Sequence, residues 1–536
     1  MTATQALALL LLIAGSCAIA TLARRRDVAA PILLVVAGLA VSYLPGVPEF
    51  RLSPDLILFV VLPPLVYTTA LESSWLNLRD NVRTLALLSV GLVLFTAAAV
   101  ALGAWLAVPG LPLAAAFTLG AILSPTDAVT TASIGRRLHL PRRLLTILTG
   151  ESMLNDGTAL TVYAVAVSAA SAGVPTPSPL SDAISLVTIS AGGVAVGLVL
   201  GFLVHRIRMR LRDPLAESAL SLIVPFAAYL AAESAHVSGI LAVVVAGLYL
   251  GHHGGQAHFA TRLQEAAVWR VTTFVLESVA FALIGLQLRP VLRDLGDRPA
   301  GQLLADAAIV LAVVVVARIV WVYAAIYLPR LLPRIRARDP APPGRVTLVL
   351  SWAGLRGVIS LAAAAALPAD VPDRALLIFL TFCAVLGTVL LQGLTLPALI
   401  RGLGVVAGPA EDRADIRAEA AAQEEAAQAG LRRLDELAAD DPAQAPPEVV
   451  GRLRRLAENR QAAAWERLHG NLQPGAGEPR HAAFRRLRLE MTAAERATFI
   501  RLRDQRQIDD EVLDSVLRDL DLEEAMLSRD EVDGPG

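Results

Sequence analysis

Apolar positions in this chain neither alternate with polar ones nor recur every third or fourth place. They continue in blocks, and short polar stretches separate the blocks. A helix needs roughly 20 apolar residues to cross the hydrocarbon of a bilayer. Blocks of that order lie at 4–22, 30–45, 54–73, 84–108, 112–134, 143–171, 182–204, 215–235, 237–251, 271–288, 302–328, 346–367 and 374–400. The pattern predicts an all-α polytopic membrane protein with about 13 transmembrane helices. After about residue 405 it changes: Leu431, Leu434 and Leu437 fall on one face of a helix whose other faces are charged. The chain thus divides into a transmembrane domain, 1–405, and a helical tail, 406–536, which prolines at 442–447 and 474–479 cut into three segments.

Charge adds an orientation. Arg24 to Arg26, Arg79 with Arg83, Arg136 to Arg143, His205 to Arg212, Arg262 to Arg270 and Arg330 to Arg345 occupy alternate loops. The positive-inside bias assigns those loops, and the tail, to the cytoplasm. The loops at 45–49, 175–179 and 368–373 carry few arginines and belong outside, with the N-terminus; Arg289 and Arg293 are an exception. Composition agrees with the pattern: 55% of the 536 residues are hydrophobic and 18% charged. The two cysteines, Cys17 and Cys383, sit in apolar runs and build neither a disulfide framework nor a thiolate cluster. The first block lacks a basic lead-in and is followed by three arginines, so it reads as a retained span and not a cleaved signal.

A carboxylate at the centre of a membrane helix costs about 2.5–3.5 kcal/mol on insertion scales, so each one requires a reason. Four candidates are Glu72, Asp127, Glu151 and Asp156. Asp127 follows Ser124-Pro125-Thr126, where the proline removes a backbone donor and breaks the helix. A broken helix offers free carbonyls and positive dipole ends at membrane depth, which is how secondary transporters hold ions. Asp127 also suits an N-cap of the second half-helix. In the next block, Ser152 lies one turn from Asp156 and Glu151 one turn from Asn155. Asp156, Ser152, Thr126 and Asp127 supply the hard oxygens that a small alkali cation takes in place of water. A buried carboxyl holds a proton or a cation and never both, and that competition is enough to couple exchange. Arg318 and Arg356 also fall inside blocks and need partners. Glu151 is expected to pair with Arg318, leaving Arg356 to neutralise carbonyl ends exposed where Gly354 and Gly357 loosen its helix. The fifth and twelfth blocks, both interrupted, run in opposite directions, which is the sign of inverted repeats with two crossing broken helices.

These residues resemble the monovalent cation:proton antiporter family of bacterial and eukaryotic sodium/proton exchangers. The resemblance covers roughly residues 5 to 402 and rests on Leu62-Pro63-Pro64-Leu65, Ser124-Pro125-Thr126-Asp127, Gly150-Glu151-Ser152 with Asn155-Asp156-Gly157, Phe281 to Gln287, and Gly354-Leu355-Arg356-Gly357. It implies a homodimer in the cell membrane, with a core domain that moves against a dimerisation domain. Asp156 would be the ion- and proton-binding acid, with Na+ held by Asp156, Ser152 and Thr126. Asn155 resembles the pattern of electroneutral exchangers, Asp127 is a supporting site residue, and Glu151 with Arg318 a structural ion pair. Glu72 stands between an added site carboxylate and an acid facing the cytoplasm.

The expected function is exchange of a monovalent cation, Na+ foremost with Li+ or K+ as alternatives, for H+ in pH and sodium homeostasis. No enzyme activity, cofactor or nucleic acid is expected. Two rivals remain: an intramembrane aspartyl protease sharing a proton between Asp127 and Asp156, and a passive cation channel, which would need a filter of carbonyls or acids.

Overall fold

The computed structural model describes residues 3–26, 30–44, 56–172, 179–211, 213–295, 298–440, 445–470, 480–505, 507, 516–517 and 520–524. The loops expected at 45–49 and 175–178, and the tail breaks at 442–444 and 474–479, lie outside these. The described residues are helical, without a strand. In chain order the helices are α1 (Ala3–Arg25), α2 (Ala30–Ser42), α3 (Leu62–Glu72), α4 (Trp75–Asp80), α5 (Val82–Ala86), α6 (Leu92–Ala107), α7 (Leu113–Leu123), α8 (Ala128–Arg137), α9 (Arg142–Ala172), α10 (Pro179–Arg208) and α11 (Pro214–Ser234). They continue as α12 (Gly239–His253), α13 (Phe259–Leu286), α14 (Leu288–Asp294), α15 (Ala300–Tyr327), α16 (Pro333–Arg338), α17 (Gly344–Trp352), α18 (Val358–Ala365) and α19 (Arg374–Leu403). Contacts divide the chain into two compact units, Met1–Val406 and Ala407–Gly536.

Among the described residues, seven helices are long and apolar enough to cross a membrane. Three shorter apolar helices, Ala30–Ser42, Phe59–Glu72 and Leu113–Leu123, fall below that length. This is fewer than the thirteen blocks of the sequence, and part of the difference comes from helix breaks. The block at 112–134 is split into α7 and α8, and that at 346–367 into α17 and α18, so no half spans a bilayer alone.

Local signals set several ends. Pro214 opens α11 behind Asp213, whose carboxylate accepts from the Leu215 N–H at 3.0 Å. Gly404 closes α19 with a left-handed φ of 59°. Close helix crossings use small residues, as they do where lipid removes the hydrophobic drive to associate. Helices α2 and α13 meet at Gly38 and Gly285, where a Cβ on either would strike the other's backbone. Gly120 on α7 sits in the same way on the Ala97 carbonyl of α6.

The second unit contains α20 (Pro409–Asp440), α21 (Pro447–Gly470) and α22 (Arg480–Asp504). Helices α20 and α21 pack together, with Arg454 paired to Asp435 at 2.5 Å. Arg488 of α22 makes a two-pronged contact with Glu523 at 2.6 and 2.7 Å.

Candidate functional site

Two helix breaks meet beside the middle of α9. The first is the segment 124–127 between α7 and α8, where Pro125 ends the backbone ladder. The second is the segment 353–357 between α17 and α18. One hydrogen bond ties them: the Asp127 N–H donates to the Leu355 carbonyl at 2.8 Å. Their approach requires a glycine, because a Cβ on Gly357 would come within 2.9 Å of the Asp127 Cβ.

Asp127 caps α8. Its Oδ2 accepts from the Thr130 N–H at 3.3 Å and from the Thr130 hydroxyl. Thr126 joins the first break to α9. Its hydroxyl donates to Glu151 Oε1 at 3.2 Å and accepts from Asn155 Nδ2 at 2.8 Å, while its carbonyl accepts from the Ser152 hydroxyl.

Glu151 and Arg318 form a two-pronged pair at 2.5 and 3.1 Å, each with 1% of its side chain exposed. Arg318 also donates to the Ser351 carbonyl at 3.2 Å and the Leu350 carbonyl at 3.1 Å. These are the open carbonyls at the C-terminal end of α17. The sequence reading assigned that work to Arg356. The structure gives it to Arg318, because Gly354 has no side chain where the Arg318 stem passes. Arg356 is fully buried; its backbone N–H donates to Thr388 Oγ1 at 3.1 Å, and its three guanidinium nitrogens have no partner among the described residues.

Asp156 is 4% exposed, and its Oδ1 has no hydrogen-bond partner among the described residues. It lines a cavity with Thr126, Asp127, Ser152 and Ser360, roofed by apolar residues such as Leu62, Met153 and Phe281. Glu151 and Asn155 do not line it. Glu72 is placed elsewhere. It is exposed, in a second and more polar cavity lined by Ser73, Asn77, Arg136 and Arg142. Among the described residues there is no group of three or more His, Cys, Asp or Glu side chains that could hold a metal ion. The cavity around Asp156 instead brings carboxylates and the hydroxyl-bearing residues Thr126, Ser152 and Ser360 onto one wall, hard oxygens of the kind an alkali cation takes in place of water.

Sequence reasoning missed Glu277 on α13, which lines both cavities. The signal was present. It is the sole acid in the block at 271–288, and the cost that singled out the other carboxylates applies to it equally. A second omission is a buried pair away from the cavities: Arg208 meets Glu265 at 2.6 Å, and Ser221, which donates to Glu265, accepts from Trp269 Nε1.

The family model for the transmembrane domain of sodium/hydrogen exchangers matches residues 8–402. The chain belongs to the sodium/hydrogen exchanger family. An uncharacterized Na+/H+ exchanger of Mycobacterium tuberculosis is 36% identical over 519 residues, covering 94% of this exchanger and 93% of that protein. The low-affinity Na+/H+ antiporter NhaS1 of Synechocystis is 33% identical over 413 residues, 74% of each chain. The sodium proton antiporter MjNhaP1 of Methanocaldococcus jannaschii has the same fold, with a TM-score of 0.58 over 73% of this exchanger and 99% of that chain at 18% identity. This exchanger is therefore a multi-pass membrane transporter and not an enzyme, which disposes of the protease reading.

Proposed function

We propose that the chain exchanges Na+ for H+ in a one-for-one, electroneutral cycle, with Asp156 as the acid for which both compete. The observation that carries the reading is the unpartnered Oδ1 of a buried Asp156, in a cavity beside two crossed helix breaks. A desolvated carboxylate oxygen without a partner is costly, and a proton or a cation removes the cost. Ser152, Thr126 and Asp127 line the same cavity and bring oxygens near that position. The residue before Asp156 on α9 is the amide Asn155, held by Thr126 outside the cavity wall, so α9 itself offers one carboxylate and not two adjacent ones. One bound charge replaces another, and no net charge crosses. Na+ is the first choice of cation because the names of NhaS1 and MjNhaP1 specify sodium; Li+ and K+ are of the same chemical class.

The working unit in this reading is a homodimer in the plasma membrane. The two interrupted helices belong to inverted repeats, and the tail that begins at residue 406 lies in the cytoplasm. Everted membrane vesicles with an acid interior test it. Added Na+ discharges the pH gradient of the wild type, reported by recovery of a quenched dye, and Asp156→Asn abolishes the response. A channel would respond to membrane voltage, and exchange by the Asn variant at the normal rate would end the proposal.

A further inference from the structure

The cavity around Asp156 and the polar cavity that contains Glu72 have two residues in common, Thr69 of α3 and Glu277 of α13. The two spaces differ in character. The inner one is walled mainly by aliphatic and aromatic side chains; the outer one has Glu72, Ser73, Ser74, Asn77, Arg136 and Arg142 on its walls. An ion that enters the outer space keeps its water; one that reaches Asp156 has lost most of it. The junction is where hydration must be exchanged for protein oxygens, and Glu277 is the ionisable residue there.

Its surroundings suit a passing cation. Glu277 is half-buried, and no ion pair holds it among the described residues. The charges that act on it are Asp127 from the first helix break, Arg24 of α1, Arg136 of α8 and Glu72 of α3. Arg24 is itself engaged, with its guanidinium 4.5 Å above the ring of Phe274, about one turn before Glu277. Two acids, Asp127 and Glu72, stand one toward each cavity and two arginines, Arg24 and Arg136, oppose them, so Glu277 itself supplies the negative charge that a cation meets at the junction. The Thr69 hydroxyl donates to the Leu65 carbonyl at 2.9 Å and keeps its own lone pairs for an ion.

We propose that Glu277, with Thr69, forms a relay station where the incoming monovalent cation sheds water on its way from the outer polar cavity to Asp156. The proposal rests on the reading of Asp156 as the exchange site. The station lies between the two cavities, so it acts on cation entry from the side to which the outer cavity opens. By the distribution of arginines that side is the cytoplasm.

The test compares everted vesicles, which present the cytoplasmic face, with right-side-out vesicles of the same protein, titrated with Na+. In Glu277→Gln the half-saturating Na+ concentration should rise roughly five-fold in everted vesicles, the effect of losing one opposite charge about 4 Å away under the screening of water, which the polar cavity admits. It should change little in right-side-out vesicles, and the maximal rate should fall far less than the affinity. Glu277→Asp should restore most of the affinity, and Thr69→Val should give a smaller loss on the same side. An unchanged half-saturation in both orientations overturns the relay, as does an equal loss in both. If Glu277→Gln does not reach the membrane, Thr69→Val decides by the same criterion. Asp156→Asn, run in parallel, separates the two proposals: its inactivity with a normal Glu277→Gln removes the relay alone, whereas its activity removes the exchange site beneath it.

Discussion

Helix α9 carries two buried carboxylates in opposite conditions. Glu151 and Asp156 are five residues apart, which on a helix is about 7.5 Å along the axis and about 140° around it. Glu151 turns toward α15 and α17, where Arg318 holds it with two hydrogen bonds and Thr126 adds a third. Asp156 turns into a cavity, and its Oδ1 accepts nothing. Both are almost completely buried, at 1% and 4% exposed. Burial therefore does not tell a structural acid from an exchanging one; the difference is whether the protein has already supplied the counter-charge. Where it has, the carboxylate fixes the crossing of the helix breaks. Where it has not, the proposed cycle has an ion from outside complete the site.

The largest expected effects come from exchanging these two conditions. Asp156→Asn should leave the protein folded and abolish Na+-driven proton movement, because an amide neither takes a proton in this range nor balances a cation. Glu151→Gln should do the reverse, since it leaves Arg318 buried without its counter-charge, a loss of about 3–5 kcal/mol by the measure of other broken buried pairs. Thermal melting in detergent, read beside vesicle transport, separates the two. A Glu151→Gln protein as stable as the wild type would show that the pair does not hold the crossing.

A smaller effect probes the contact between the breaks. A methyl group at Gly357 meets the Asp127 Cβ at 2.9 Å, so Gly357→Ala must push the two segments apart. Overpacking of this kind costs about 1–3 kcal/mol. Because Asp127 also lines the cavity, the maximal exchange rate should fall with the melting temperature. Gly402 has nothing near its Cβ position, and Gly402→Ala serves as the matched control that should change neither.

Some of this was legible in the sequence and some was not, for reasons that particular residues show. The helical class follows from uninterrupted apolar blocks, which leave no other way to satisfy the backbone in lipid. The first helix break follows from Pro125, a local cause with a local effect. The second has no proline, and Gly354 and Gly357 indicated it only in part, because their reason lies elsewhere in the chain: one makes room for Arg318, the other for Asp127. Arg318 takes the open carbonyl ends of α17, which were expected to fall to Arg356, in addition to Glu151. Both are arginines in apolar blocks, and only the path of the Arg318 stem past Gly354 decides which one reaches the ends of α17. Glu277 was passed over for a simpler reason. It stands alone in its block, with neither a helix-breaking proline such as Pro125 nor a second acid to mark it.

Thr126 connects the two conditions, since one hydroxyl both donates to Glu151 and accepts from Asn155. Thr126→Val keeps the shape and removes both bonds, leaving the buried Asn155 amide without its partner, at about 1–3 kcal/mol. The expected result is a moderate drop in melting temperature with weakened but measurable exchange. Thr126→Ser keeps the hydroxyl and should recover most of both. Complete loss of exchange in the Val variant at normal stability would move Thr126 from scaffold to principal ligand.

The smallest effect sets the dry Glu151–Arg318 pair against a wet one. Asp339, with 22% of its side chain exposed, meets Arg83 at 2.6 Å, Arg143 at 2.8 Å and Arg330 at 2.6 Å, and so ties α5 and the start of α9 to the segment that follows α15. Burial pushes its carboxyl up, but the Arg143 hydrogen bond and the charges of Arg143, Arg330 and Arg83 outweigh it, and the net displacement is downward. A carboxyl lowered in the folded state contributes stability above its ordinary range and loses it as pH falls through the folded value. Water screens this cluster, so Asp339→Asn should cost no more than about 1 kcal/mol near neutral pH. It should also flatten the acid side of the melting-temperature profile relative to the wild type. Added salt should shrink the difference between the two proteins, because exposed charges are screened, whereas the cost of Glu151→Gln should persist at any ionic strength. Equal salt sensitivity of the two variants would mean that water reaches Glu151 as well, and the contrast between a supplied and a missing counter-charge on α9 would lose its basis.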